Sequence, residues 1–338
     1  MADAPVSYPF IWEAPHHDYI QWNGKVRNDP TGALGRNVGE VLGVFGRFTI
    51  MPGSNAEPRI RSTVRIPNLG KLETLLRTLW SPQWTPEKFI TTNDTVEEVA
   101  YGKKLFHGET PEKFLCSSCH VPITREAPSR RVRSNAIPVE VMGVDSTAAV
   151  GFCTRAFENT SEPCPSAKAL TDAVVSVVRT DAAAAGHIIR GTTCWRWRTR
   201  PNQKPADAVH DETCGAADSD STSDSKMSAE PKTASYKARA LNGIWATAPY
   251  LHNGSVPTLA HLLRPNTRPD VFFTGSREFL PDEIGFKYRA EDYPAGVPKS
   301  KFDTSRTGNL NDGHTYFGNY FETHDAEFRA LMAYLRTL

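Results

Sequence analysis

Two cysteines and a histidine fall together at Cys116-Ser-Ser-Cys119-His120. Two thiols at this spacing on a helical turn can each add to a vinyl group of one porphyrin. The next residue then offers its imidazole to the iron from the same side. With six Cys and ten His in 338 residues, chance would supply the pattern about 0.003 times per chain. A thioredoxin-like redox pair would follow a strand, whereas the lead-in here reads as helix. A zinc site would need a second close ligand pair. The remaining cysteines, Cys153, Cys164, Cys194 and Cys214, are too widely spaced for that. The expectation is therefore one covalently attached haem c on Cys116 and Cys119, with His120 as proximal ligand.

The flanking elements must position that turn. Thr95-Val-Glu-Glu98 is a capping box and predicts a helix through Phe106, stopped by Gly108. Thr110-Pro111 predicts a further helical turn running into the motif. Gly102 and Phe106 share one face of the first helix, and glycine permits close approach of a second. Phe328, Leu331, Tyr334, Leu335 and Leu338 recur at helical spacing after Asp325, which predicts a final helix with an apolar face. In small c-type cytochromes the helix before CxxCH packs across the last helix. Residues 91–338 thus resemble a cytochrome c-type haem domain, mainly α, with long irregular loops and a large insertion at about 121–235. Within it, 206–232 is rich in Ser, Asp and Ala and reads as a mobile surface loop.

Residues 1–90 read as a loop-rich N-terminal or interdomain region with one helix, marked by Leu69, Leu72, Leu75, Leu76 and Leu79. Gly32 to Phe48 admits either tight turns or a short helix. Pro257 and Thr258 open a short helix that ends before Pro265.

The sixth ligand decides whether such a haem carries electrons or handles substrate. None of the five methionines has a context that suits a ligand. Most histidines have an ordinary reading as surface or packing residues. Two stand apart. His314, in Asn311-Asp-Gly-His-Thr-Tyr316, sits on a glycine-containing loop shortly before the final helix, where cytochrome c domains commonly place the distal ligand. His252, in Ala248-Pro-Tyr-Leu-His-Asn-Gly254, is the alternative, and is read rather as lining the haem edge.

Composition narrows the partners. With 39 Lys+Arg against 38 Asp+Glu, the net charge of +1 gives no electrostatic case for nucleic acid or acidic lipid. No apolar run reaches the roughly 18 residues of a membrane span. The best candidate, Ala173 to Ile189, is broken by Arg179, Asp181 and His187. Met1-Ala-Asp-Ala-Pro5 shows neither a basic nor an apolar leader region. Haem attachment of this kind nonetheless belongs to exported proteins, so a periplasmic or secreted location is expected, from a trimmed or partial chain. The four other cysteines are then expected as disulfides, with Cys153–Cys164 and Cys194–Cys214 one connectivity among three.

The stretch Tyr236-Lys-Ala-Arg-Ala-Leu-Asn-Gly-Ile-Trp-Ala-Thr-Ala-Pro-Tyr-Leu-His-Asn-Gly-Ser-Val-Pro-Thr-Leu259 resembles the C-terminal haem domain of bacterial di-haem cytochrome c peroxidases and MauG-like proteins. It is most similar to their haem rubber oxygenase subgroup. Gln21-Trp-Asn-Gly24 and Gly35-Arg-Asn-Val-Gly-Glu-Val-Leu-Gly43 resemble the interdomain region of that subgroup. The resemblance implies Cys116 and Cys119 as haem attachments, His120 as proximal and His314 as distal ligand. Family members carry two CxxCH motifs and this chain has one. Asn242-Gly243 stands where many peroxidases have Arg-Asn, leaving Arg239 as the candidate contact to a haem propionate. The implied role is an electron-transfer domain, the C-terminal half of a di-haem oxidoreductase. It would be fed by a small redox protein, would face a second haem domain, and would carry no catalytic residue of its own. A stand-alone mono-haem peroxidase or oxygenase with an open iron site is the alternative.

Overall fold

The computed structural model describes residues 4–24, 26–28, 32–51, 59–85, 94–123, 132–154 and 234–338. Among them helix outweighs strand, about 37% against 14%. The strands form five separate two-stranded antiparallel ladders, and much of the remaining chain is irregular.

The core is built on one helix crossing. Helix Val96–His107 starts at Thr95, whose hydroxyl accepts from the Glu98 N–H while the Glu98 carboxylate accepts from the Thr95 N–H. It ends at Gly108 in the left-handed conformation that glycine adopts without penalty. Its partner is the C-terminal helix Asp325–Thr337, which buries Phe328, Leu331, Tyr334 and Leu335. The two meet at Gly102, where a Cβ would stand 1.9 Å from the Ala330 carbonyl oxygen. Phe106 packs on Tyr334 with ring centroids 5.5 Å apart. Around this crossing gather Leu105, Ile244, Val256, Leu259, Leu263, Ile284 and Phe321. The expected helix positions and partner faces are met here.

Elsewhere the expectations need correction. Thr110 to Leu115 forms a turn closed by Lys113 N–H on the Thr110 carbonyl, and no helix. Lys113 and Leu115 both have positive φ, which interrupts helical winding. Among the described residues of 1–90 there are two α-helices instead of one, Gly32–Val44 and Ile66–Leu76, together with the ladder 48–51/59–62. The second helix turns its leucine stripe outward: Leu72, Leu75 and Leu79 are exposed. Its buried face carries Glu73, which takes hydrogen bonds from Arg36 and Asn37 of the first helix. An ion pair, and not the apolar stripe, therefore orients the two.

The expected insertion also divides. Strand Asn135–Pro138 pairs antiparallel with Ser235–Ala238, and helices Val139–Met142 and Thr147–Thr154 follow. This portion belongs to the haem-domain framework. The 206–232 loop, the side chain of Cys153, and Cys164, Cys194 and Cys214 lie outside the described residues. Segment 4–28 runs along the same framework. Trp12 donates to the Asn242 carbonyl, Ser7 N–H to the His252 carbonyl, and Asp18 N–H to the Val132 carbonyl.

Candidate haem site

The motif folds as a four-residue helical turn, Cys116–Cys119. His120 N–H closes it on the Cys116 carbonyl at 2.9 Å. Asn135 fastens the turn from outside, its amide donating to the carbonyls of Ser118 and Cys119. Cys116 and Cys119 are not bonded to each other. Burial pushes the Cys116 thiol up to about 11. A free thiol so poised stays protonated at neutral pH and is a poor redox nucleophile, which counts against the thioredoxin-like reading.

His120 is set by its own ring. Its Nδ1 lies 2.8 Å from the Arg239 carbonyl oxygen, an acceptor that requires Nδ1–H. That contact leaves Nε2 as a lone pair available to a metal. Burial lowers its pKa, so the imidazole stays neutral.

Facing it is His314. The ring centroids stand 6.3 Å apart with 48° between planes. Two imidazoles on opposite sides of one metal, each with a metal–nitrogen bond of about 2 Å and a ring centre roughly 1 Å further back, would stand about 6 Å apart. The residues present therefore fit an iron between them. Both rings are half-buried by surface yet crowded by protein, as expected of rings that face a cleft.

His314 reaches this place through an unusual loop. It has φ 52° and follows Gly313 at φ 78°, left-handed conformations that cost free energy for a residue with a side chain. A Cβ on Gly313 would come within 2.5 Å of the Val144 nitrogen. The loop is held down on several sides. His314 N–H donates to the Met142 carbonyl at 3.1 Å. The Arg268 guanidinium donates to the carbonyls of Asn311 and Gly313, and also to those of His261 and Leu262 on the short helix Leu259–Leu263. The Asn253 amide donates to the carbonyls of Gly308 and Leu310, and the Asp145 carboxylate accepts from the backbone N–H of the same two residues. Burial first, then the nearby His120 and Arg268, brings the His314 pKa down to about 3. Its Nδ1 is buried without a hydrogen-bond partner.

His252 is not paired with His120 in this way. Its ring stacks on Tyr236 at 3.9 Å, its Nε2 is buried without a partner, and burial lowers its pKa to about 4. It directly precedes the Asn253 that anchors the His314 loop. Among the described residues no group of three or more His, Cys, Asp or Glu converges on one point.

Sequence reasoning singled out His120 and His314, whose rings face each other here, and missed the groups that hold them. Asn135, Asp145, Arg268 and the carbonyls of Met142 and Arg239 occur in no recognisable local pattern. Only Gly313 beside His314 carried a signal, as a glycine needed for close approach.

Residues 235–273 match a family described as RoxA-like, cytochrome c-like. The match falls on the stretch carrying the resemblance noted above and supports a c-type haem domain. Over 99% of its length the chain is 30% identical to uncharacterized protein y4iJ of Sinorhizobium fredii (strain NBRC 101917 / NGR234), covering 55% of that relative. A shorter stretch, 17% of the chain, is 48% identical to uncharacterized protein y4iM of the same strain, covering 13% of it. The chain thus spans about half, or less, of the length of these curated relatives. Among the described residues no helix is long and apolar enough to cross a membrane.

Proposed function

We propose that this chain is a c-type haem electron-transfer domain, the C-terminal half of a di-haem, peroxidase-like oxidoreductase that works in the periplasm or outside the cell. The observation that carries the reading is the His120–His314 pair, its ring centroids 6.3 Å apart, directly beside the CxxCH turn. Cys116 and Cys119 would hold the haem, His120 and His314 would close its two faces, and His252 would line its edge. A haem held so supplies a one-electron ferric/ferrous couple.

The protein's own part is to keep both imidazoles neutral and correctly oriented. The Arg239 carbonyl fixes the His120 tautomer, and burial keeps either ring from taking a proton. With both faces closed, peroxide or dioxygen would have no entry to the metal. Chemistry on a substrate would therefore fall to a second haem domain, and electrons would come from a small redox protein. The greater length of y4iJ is consistent with such a larger assembly.

The test is an absorption spectrum of protein expressed with the haem-attachment machinery, with pyridine haemochrome quantitation. One covalent haem per chain and a low-spin, six-coordinate ferric spectrum are expected. His314→Ala should convert it to high spin. A high-spin wild type that reacts rapidly with peroxide would instead establish a stand-alone mono-haem peroxidase or oxygenase. Colourless protein would show that the two cysteines are idle thiols.

A further inference from the structure

A cavity of about 680 Å³ borders strand Ser235–Ala238, and neither His120, His314 nor the two motif cysteines line it. Its wall is largely apolar, with Phe10, Ile11, Ile20 and Trp22 from the N-terminal segment and Phe152 from the helix Thr147–Thr154. The size is that of a small-molecule site.

Its charged lining is mostly cationic, with Arg36, Lys237 and Arg239 against Glu40. The Arg239 guanidinium lies over the Phe10 ring at 4.6 Å and the Trp22 ring at 5.3 Å. The one hydrogen-bond acceptor described for it is the Thr247 hydroxyl at 2.7 Å. Lys237 lies two residues before it on the same wall and donates to the Tyr19 carbonyl. His17, only 6% exposed, also lines the cavity, and its Nδ1 has no hydrogen-bond partner. Arg36 is already satisfied by Glu73, and Asp18 stands near Lys237. Glu40 is the one carboxylate among the described lining residues, and burial raises its pKa toward the neutral acid.

A guanidinium set between two aromatic faces, with donors left over and a neutral imidazole beside it, lacks a planar anionic acceptor. A carboxylate meets the fork of Arg239 in the bidentate geometry that arginine favours, and His17 can add a third donor. The apolar walls then call for a hydrocarbon body attached to that carboxylate. We propose that this cavity binds an organic carboxylate with an apolar chain, its head on Arg239 and His17 and its body against Phe10, Trp22 and Phe152. This use of Arg239 competes with a contact to a haem propionate, and the test separates the two.

The probe is decanoate, titrated calorimetrically into the haem-loaded full chain, with decanol as the neutral control. One decanoate per chain is expected, with decanol weaker by about tenfold or more, the worth of one charge-assisted hydrogen bond. Arg239→Gln should weaken decanoate by a similar factor. Gly151→Phe, placed on the cavity wall away from the cations, should abolish binding and leave the visible spectrum unchanged. Equal affinity for decanol, or unimpaired binding in Gly151→Phe, would overturn the proposal. So would a wild type that ignores decanoate. If, in that case, Arg239→Gln shifts the haem potential, the guanidinium serves a propionate of the haem itself.

Discussion

At the scale of single residues, the site depends on imidazoles kept neutral by their surroundings. His252 and His261 are both buried and brought down by burial to about 4 from an ordinary value near 6.5. The unfolded chain therefore binds protons that the folded chain excludes as pH falls below about 6.5. The stability present above that value is lost progressively between about 6.5 and 4, by as much as about 1.4 kcal/mol per pH unit for each such histidine. Denaturant melts of the haem-loaded protein at pH 7, 6, 5 and 4 should show the midpoint falling with acid. His261→Gln, which cannot titrate, should flatten that dependence, and an unchanged slope would remove His261 as its cause. Cys116, Cys119, His120 and His314 were legible as candidates because CxxCH and an isolated His on a loop before a helix carry their chemistry in local sequence. The backbone carbonyls and long-range side chains that aim them were not legible. A carbonyl is common to every residue, and Arg268 lies 46 positions from the histidine whose loop it holds.

At the scale of elements, two devices hold the rings in register, a helix crossing and a stapled loop. Gly102 is the contact point of the crossing. Gly102→Val would drive side-chain atoms into the Ala330 carbonyl and Tyr334, and the helices could relieve this only by separating. The expected cost is about 3 kcal/mol or more, read as a large fall in melting temperature and in haem-loaded yield. A surface glycine change such as Gly43→Ala, in the helix Gly32–Val44 and with no neighbour within 4 Å, should be mild by comparison. For the loop, Arg268→Gln removes the fork that binds Asn311 and Gly313. The His314 backbone, already left-handed, then has fewer bonds holding it. A mixture of high-spin and low-spin haem is expected, with the low-spin fraction rising on cooling. A wholly low-spin spectrum would show that Met142, Asn253 and Asp145 hold the loop unaided. The helices were readable from capping residues and 3.6-residue periodicity. The leucines of Ile66–Leu76 marked a helix but not its outward face, since periodicity reports a face without saying what covers it.

At the scale of the molecule, the described haem-site contacts come from 94–154 and 234–338, joined through the pairing of Asn135–Pro138 with Ser235–Ala238. That pairing is what makes the sequence arrangement deceptive. A motif at 116–120 and its tautomer-setting carbonyl at 239 are distant in sequence, yet one ladder brings them together. Val139 N–H donates to the Ala234 carbonyl, and the Tyr236 hydroxyl accepts from Ala149 N–H, so the two chain ends that flank 155–233 are tied to one framework on both sides. Replacement of residues 157–231 by a flexible Gly/Ser linker of about 15 residues, whose mean span is roughly 20 Å, should therefore leave one covalent haem per chain. The low-spin spectrum and midpoint potential should stay within error of the full chain. Cysteines 164, 194 and 214 go with the replaced segment, so the outcome also separates disulfide chemistry from haem chemistry. Retention of the spectrum with loss of electron uptake from a small donor protein would assign the replaced segment to docking. Loss of the haem itself would place part of the site in that segment and revise the axial assignment.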